Sequence, residues 1–168
     1  IPLFVSSTTP EKPIDLLEKG GAPVHPPIPN IWWIENRIDP GFAEFSAFCA
    51  GQGFGVSVVS DGLDRTVGAV LKRHGLALPY FANRLEWQGG DRWRLTFPHA
   101  RGDCRALSGN CKCQFAARHA GHVRVVVGDG RSDFCVAGEA DLVLAKTSLI
   151  DHCQRPNLPY LGFSTVVE

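Results

Sequence analysis

The chain has 168 residues, of which 44% are apolar, so it is long enough to bury a sizeable hydrophobic core. Its 17 basic and 17 acidic residues cancel, which excludes recruitment of nucleic acid or an anionic membrane by a global electric field. No apolar run approaches the roughly 20 residues that cross a bilayer, and the N-terminus has no basic region followed by an apolar core. We therefore expect one domain over residues 1–168, located in the cytoplasm, with no nucleic-acid or membrane partner.

The first third of the chain predicts a strand, a connector and a helix. Residues 3–5 form a short apolar strand. Residues 20–37 contain four prolines within seven positions, which forbids a helix and favours an extended connector. Trp32 and Trp33 in this connector are expected to pack on the core, although paired tryptophans would also suit a homodimer. Phenylalanines recur at helical spacing in residues 42–49, which predicts a helix there.

The remaining chain alternates predicted strands and helices. A β-branched strand at 56–59 precedes a helix that stops at Gly75, and glycines at a turn predict a β-hairpin over 84–97. The later elements are a helix after residue 112, a strand at 123–127, a helix at 132–140 and a strand at 142–144. This alternation predicts an α/β fold, namely a Rossmann-like parallel sheet with helices on both faces and a β-hairpin insertion.

Polar residues follow the predicted strand 56–59. Ser60, Asp61 and Gly62 place a hydroxyl and backbone N–H groups ahead of a helix, which is an arrangement that can bind phosphate. A simple helix N-cap explains the same residues equally well. Ligands of such sheets bind beyond the carboxyl ends of the strands, where Ser60 is expected to lie.

Two carboxylates follow the predicted strand 123–127. Asp129 and Asp133 lie close together after the apolar run, and gathered carboxylates favour a hard cation such as Mg²⁺. The alternative is a capping turn in which Ser132 or Asp133 binds the first N–H groups of the next helix. Lys112, ahead of another helix, is by itself an ordinary surface charge.

Taken in order, Ser60, Lys112, Asp129 and Asp133 resemble motifs two, three and four of the haloacid dehalogenase (HAD) superfamily of phosphatases. The resemblance covers about residues 38–166 and is strongest to the phosphoserine-phosphatase-like branch, which includes a methionine-salvage phosphatase. It implies that Ser60 and Lys112 are catalytic and bind phosphate together with the neighbours of Ser60, at positions 61 and 62. It further implies that Asp129 and Asp133 hold Mg²⁺ directly or through water, and that the substrate is a small phosphorylated metabolite.

Two features depart from the pattern of that family. Its first motif is Asp-x-Asp-x-Thr, in which one Asp attacks phosphorus and the other serves as general acid and base. Here the strand at 3–5 is followed by Ser6, Ser7 and two threonines, and the helical cap is replaced by the connector 20–37. We therefore predict a HAD-type phosphatase with impaired Mg²⁺-dependent phosphomonoester hydrolysis. The alternatives are an inactive pseudophosphatase and a zinc-stabilised interaction module.

Four soft-ligand residues lie within fifteen positions. His99, Cys104, Cys111 and Cys113 could close a structural Zn²⁺ site that braces the loop carrying Lys112. A disulfide from Cys104 to Cys111 or Cys113, or free thiols, would fit the spacing as well. The three other cysteines lie in helical patterns and are expected to be small buried hydrophobic residues: Cys49, Cys135 and Cys153.

Overall fold

A computed structural model describes residues 2–5 and 38–166. Predictions that fall on residues 6–37 lie outside the described residues. The predictions concerned are those on the residues after the first strand, on the proline-rich connector at 20–37, and on Trp32 and Trp33.

Strands and helices alternate along the described chain. The seven strands are β1 Pro2–Val5, β2 Gly55–Leu63, β3 Tyr80–Trp87, β4 Trp93–Thr96, β5 Val125–Gly128, β6 Leu142–Ala145 and β7 Tyr160–Gly162. The α-helices are α1 Phe42–Gly51, α2 Asp64–Arg73, α3 Cys113–Arg118, α4 Phe134–Ala137 and α5 Ser148–Gln154, and a 3-10 helix spans Arg131–Asp133. Within the described ranges, no helix has the length and apolar character needed to cross a membrane.

The strands form one sheet with β1 at its centre. The order is β4-β3-β2-β1-β5-β6-β7, and every neighbouring pair is parallel except β3 with β4. Val5 pairs with Val58 of β2 on one side and with Val127 of β5 on the other. The carboxyl ends of these three strands therefore meet at one edge of the sheet.

Helices cover both faces of the sheet, as the α/β pattern predicts. Alternate residues of a strand point to opposite faces, so Val58 and Val59 of β2 enter different clusters. Val58 packs with Phe42 of α1 and Leu71 of α2, whereas Val59 packs with Phe115 of α3 and with α4. The sheet is thus the middle of three layers, and the strands are apolar on both sides because both sides are buried.

The strand β2 is longer than the predicted 56–59. It continues through Ser60 to Leu63, with a shift in its pairing to β3 between Val59 and Leu63. Leu63 still pairs with Asn83. Ser60 therefore belongs to the irregular end of a strand, and α2 begins four residues later, at Asp64. The expectation that Ser60 leads directly into a helix was wrong.

The segment after β5 also differs from the prediction. In place of one helix over 132–140, a 3-10 helix over Arg131–Asp133 is followed by the short helix α4, which ends before Gly138. The strand β5 begins at Val125 and not at Val123, whose side chain is exposed. The elements α5 and β7 were not predicted, because each has only a few apolar positions.

The predicted hairpin forms between β3 and β4. Its antiparallel pairing runs from Arg84 with Thr96 to Trp87 with Trp93. The turn uses Gly89 and Gly90, whose positive φ angles of 95° and 54° favour glycine. The strand β3 starts earlier than the hairpin, at Tyr80, where it pairs in parallel with β2.

Candidate active site

The candidate site lies at the edge of the sheet where β1, β2 and β5 end. Ser60 is two residues beyond Val58, and Asp129 is two residues beyond Val127. Since Val58 and Val127 both pair with Val5, Ser60 and Asp129 follow the two strands that flank β1. The structure therefore places these two predicted residues at one sheet edge.

Lys112 and Asp133 form a buried ion pair. The Nζ atom of Lys112 lies 2.6 Å from Oδ1 of Asp133, and the two side chains are 2% and 1% exposed. The same ammonium donates a hydrogen bond of 2.9 Å to Oγ of Ser132. Buried charges persist only when they are paired and hydrogen-bonded, so each partner depends on the other. Lys112 is thus a buried, paired charge and not the surface charge that its sequence context suggests.

The second oxygen of Asp133 fixes the backbone after β5. Its Oδ2 accepts hydrogen bonds from the N–H groups of Asp129 at 3.2 Å and Gly130 at 3.3 Å. The carboxylate reaches this position because residue 128 is glycine. A Cβ atom on Gly128 would lie 2.6 Å from Cγ and from Oδ2 of Asp133. Asp133 therefore connects Lys112 to the backbone that carries Asp129.

The start of α5 and the residue before it hold Asp129 from another side. The carbonyl oxygen of Asp129 accepts hydrogen bonds from the hydroxyls of Thr147 and Ser148. The backbone N–H of Leu149 donates to the same oxygen at 3.3 Å. Thr147 has a positive φ of 45°, which is uncommon for a β-branched residue and occurs mainly at functional sites. The half-buried Asp129 carboxylate is thus carried on a well-anchored backbone.

Ser60 is buried at the end of β2. Its side chain is 1% exposed, and its Oγ accepts a hydrogen bond of 3.0 Å from the N–H of Gly62. A Cβ atom on Gly62 would lie 3.1 Å from that Oγ, which is tighter than ordinary contact. The Ser-x-Gly sequence therefore forms a local turn about the hydroxyl.

Asp61 braces the loop that leads to Lys112. Its carboxylate accepts hydrogen bonds from Oγ of Ser108 at 2.6 Å and from the N–H of Asn110 at 2.8 Å. The phosphate contact expected of Asp61 would therefore fall to its backbone N–H, because the carboxylate is itself an anion.

Asn110 is a site residue that the sequence did not reveal. Its side chain is fully buried, and Nδ2 donates to the carbonyl oxygens of Ser60 at 2.9 Å and Phe81 at 2.8 Å. It therefore ties the Lys112 loop to both β2 and β3. An asparagine after Ser-Gly looks like an ordinary loop residue, so only its position two residues before Lys112 could have drawn attention to it.

His99 packs against aromatic rings. Its ring meets those of Phe81 and Phe115 at centroid distances of 5.5 and 5.4 Å, in edge-on arrangements. Burial lowers the pKa of His99, and the positive charges of Arg118 and Arg84 lower it further. The imidazole is therefore neutral near neutral pH and acts as a packing group.

The predicted zinc site of His99, Cys104, Cys111 and Cys113 does not form. Within residues 2–5 and 38–166, no group of three or more His, Cys, Asp or Glu side chains is arranged to hold a metal ion. The ring of His99 is used in aromatic packing, which removes the only predicted nitrogen ligand. The predicted disulfide from Cys104 to Cys111 or Cys113 is absent too, because all of these thiols are unlinked.

Cys135 was wrongly predicted to be a simple buried hydrophobic residue. Its Sγ lies 3.0 Å from Sγ of Cys113, and both residues are half-buried. Burial raises the pKa of Cys113 strongly, and Cys135 raises it further. By contrast, the prediction holds for Cys49 and Cys153, which are 1% and 0% exposed.

Cys104 adjoins the same thiol pair. Burial works to raise its pKa, but hydrogen bonds from the backbone at Ser108 and the thiols of Cys111 and Cys135 outweigh that effect. The pKa of Cys104 is consequently held below its usual value. Four thiols therefore adjoin one another beside the loop that carries Lys112.

Proteins similar to this chain are phosphatases. One relative, from Brevibacillus brevis, is named 2-hydroxy-3-keto-5-methylthiopentenyl-1-phosphate phosphatase and is 34% identical over 135 residues, covering 78% of this chain and 60% of the relative. A relative of the same name from Geobacillus kaustophilus is 38% identical over 135 residues, covering 77% of this chain and 60% of the relative. No protein-family model matches the chain.

The fold is also found among solved phosphatases. A phosphoserine phosphatase with an analogue of its phospho-aspartyl intermediate superposes with a TM-score of 0.54 at 22% identity, over 77% of this chain and 60% of that chain. The chain is thus similar in sequence to curated phosphatases, and it has the fold of phosphatases of the haloacid dehalogenase superfamily. Its α/β architecture, with a parallel sheet covered by helices on both faces, is that of HAD phosphatases.

The chain spans about 60% of the length of these curated relatives. The similarity therefore shows the fold of the matched part. The activity in the relatives' names belongs to proteins that are longer than this chain.

Proposed function

We propose that this chain is a HAD-type phosphatase domain that binds a small phosphorylated metabolite together with Mg²⁺, and that it hydrolyses the phosphate ester only slowly. The observation that carries the proposal is the buried Lys112–Asp133 ion pair, which adjoins the sheet edge where Ser60 and Asp129 lie. A positive charge kept out of water at a ligand-binding edge is the group that a phosphoryl anion needs.

Lys112 neutralises the bound phosphoryl group in this proposal. Its ammonium is held by Asp133 and Ser132, so its position does not depend on the ligand. Such preorganisation matters because phosphoryl transfer is promoted mainly by positioning and by electrostatic stabilisation. Asp133 acts as the positioning residue for this ammonium.

Ser60 contributes a hydrogen bond to the phosphoryl group. Its hydroxyl accepts from the N–H of Gly62, which fixes the position of Oγ, and a hydroxyl that accepts a hydrogen bond can also donate one. A hydrogen bond from this hydroxyl to a phosphoryl oxygen is stronger than one to a neutral acceptor, because the oxygen is charged.

Asp129 would hold Mg²⁺. This ion usually binds one or two carboxylates, several waters and the oxygens of a bound phosphate, so the half-buried Asp129 at the end of β5 fits it. Asp133 is less suited to direct coordination because both of its oxygens accept hydrogen bonds from protein donors. When bound, Mg²⁺ neutralises negative charge on the phosphoryl group.

Slow hydrolysis follows from the sequence after β1. No Asp or Glu lies between Leu3 and Glu11, and Ser6 and Ser7 follow the strand where the family pattern has a carboxylate. A serine hydroxyl is uncharged at neutral pH and needs a base to become a nucleophile. Losing a covalent nucleophile leaves only the binding and electrostatic parts of the acceleration.

The substrate class comes from the relatives. Both are named as phosphatases of 2-hydroxy-3-keto-5-methylthiopentenyl 1-phosphate, a small phosphomonoester. We accordingly propose a small phosphorylated metabolite, bound by its phosphate group, as the ligand of this chain.

Phosphate release from an aryl phosphate, measured with and without Mg²⁺, tests the proposal. The chain is compared with Asp129→Asn and with Asp91→Asn, an exposed position in the hairpin turn that serves as the matched control. We expect slow release that Mg²⁺ increases, that Asp129→Asn abolishes and that Asp91→Asn leaves unchanged. Rapid Mg²⁺-dependent turnover would show that a nucleophile is present after all. If neither Mg²⁺ nor Asp129→Asn changes the rate of phosphate release, the proposed site is ruled out.

A further inference from the structure

The thiols of Cys113 and Cys135 approach each other beside the candidate site. Their Sγ atoms lie 3.0 Å apart, although no bond joins them. Both residues are half-buried, so each is partly open to solvent. Nothing in the proposed phosphatase function requires two thiols here.

The thiol pair joins the same two segments of the chain as the buried ion pair. Cys113 is the first residue of α3 and follows Lys112 directly. Cys135 lies in α4, two residues after Asp133. A covalent link between the thiols would therefore fasten together the two segments that hold Lys112 against Asp133.

The distance between the sulfur atoms fits a disulfide better than a metal site. Sulfur ligands about 2.3 Å from a tetrahedral Zn²⁺ are about 3.8 Å apart, which is longer than the observed separation. To form a disulfide, the sulfur atoms at 3.0 Å must move about 1 Å closer. No metal-ligand group is present among residues 2–5 and 38–166.

We propose that Cys113 and Cys135 form a reversible disulfide in response to a small-molecule disulfide oxidant. One thiol, as its thiolate, attacks the oxidant and releases one small thiol. The second thiolate then displaces the other half of the oxidant from this mixed disulfide. Overall, the protein pair loses two protons and two electrons, and the oxidant is reduced to two small thiols.

The disulfide would make the segments around Lys112 and Asp133 more resistant to opening. It closes a loop over residues 113–135, which restricts the unfolded chain more than the folded one. Oxidised protein is therefore expected to unfold at a higher temperature than reduced protein. This inference does not depend on whether the site binds phosphate.

Peptide mapping tests the proposal because trypsin separates all six cysteines. Cleavage after Arg and Lys places the four clustered ones on four peptides: Cys104 in 102–105, Cys111 in 106–112, Cys113 in 113–118 and Cys135 in 132–146. Folded chain is incubated with oxidised glutathione at mildly alkaline pH, blocked with an alkylating reagent and digested without reductant. We expect 113–118 linked to 132–146, and release of both peptides by reductant.

Variants and a metal measurement complete the test. Cys135→Ser should abolish the link and the rise in the unfolding temperature, whereas Cys104→Ser, which alters a neighbouring thiol, should preserve both. Predominant linkage of Cys104 to Cys111 or to Cys135 would overturn the proposal. So would zinc at about one ion per chain in protein purified without chelator, with all four thiols protected from alkylation.

Discussion

Asp133 organises the candidate site at the scale of single residues. One of its oxygens accepts from Nζ of Lys112, and the other accepts from the N–H groups of Asp129 and Gly130. The carboxylate is 1% exposed, so these donors take the place of water. A single buried carboxylate thereby sets the position of the cation and of the backbone that carries Asp129.

Mutual dependence within the ion pair can be measured by a double-mutant cycle. Lys112→Met and Asp133→Asn should each lower the free energy of unfolding by about 3–5 kcal/mol, because each leaves a buried partner uncompensated. The double variant should lower the free energy of unfolding by clearly less than the sum of the two single effects, because neither buried charge then remains. Urea unfolding of the four proteins gives the coupling, and additivity within about 0.5 kcal/mol would mean that the pair is not coupled as described.

Gly128 is expected to be irreplaceable by alanine. A Cβ atom there would lie 2.6 Å from Cγ and Oδ2 of Asp133, so Gly128→Ala must displace that carboxylate and should cost about 1–3 kcal/mol. Gly138→Ala is the matched control, because its new Cβ would lie 3.7 Å from the nearest atom and its φ is −71°. Equal unfolding free energies for the two variants would contradict the close approach of Asp133 to Gly128.

Some residues of the candidate site could be predicted from the sequence, and others could not. Lys112, Asp129 and Asp133 could be found because their order after predicted strands resembles a known pattern. The role of Asn110 could not be found, since it depends on carbonyl oxygens that β2 and β3 bring together from distant positions. Cys135 was misjudged for the same reason, because its contact with Cys113 is tertiary.

At the scale of elements, a single carboxylate joins the start of α1 to the far end of the chain. Oδ2 of Asp39 lies 3.0 Å from Nζ of Lys146, which follows β6. Oδ1 accepts from the N–H groups of Gly41 and Val166. Burial alone would raise the pKa of Asp39, but the hydrogen bond from Lys146 and those from the two backbone groups hold that pKa below its usual value.

This lowered pKa predicts how stability depends on acid. Because the folded pKa is depressed, Asp39 contributes stability above its unfolded value of about 4 and loses that contribution as the pH falls through the folded pKa. Asp39→Asn should therefore lower the free energy of unfolding by about 1 kcal/mol near pH 6, and by progressively less as the pH falls below about 4. A difference in unfolding free energy that does not narrow with falling pH would contradict the assignment.

Elements with a strong pattern were predictable, and their ends were not. The β-branched runs of β2 and β5 and the helical spacing of α1 are enough to identify those elements from the amino-acid order. The extension of β2 through Ser60 depends on its pairing with β3, which a local pattern does not encode. The helix expected over 132–140 begins only at Phe134, after a 3-10 helix in which Asp133 pairs with the buried Lys112.

At the scale of the whole molecule, the order of the strands creates the site. The chain passes from β1 to β2 on one side of the sheet and returns to β5 on the other, so β1 lies where the order reverses. Ligands of open α/β sheets bind at such a reversal, beyond the carboxyl ends of the strands. Ser60 and Asp129 lie at this edge because β2 and β5 flank β1. The alternating pattern predicts such a sheet, but it does not fix which strands are neighbours.

Calorimetric titration of inorganic phosphate into the folded chain, with and without Mg²⁺, tests the central claim most directly. We expect saturable phosphate binding that Mg²⁺ strengthens. In Asp129→Asn the effect of Mg²⁺ should disappear, and in the Asp91→Asn control it should remain. Absence of saturable binding to well-folded protein, or binding that Mg²⁺ and Asp129→Asn leave unchanged, would contradict the proposed site.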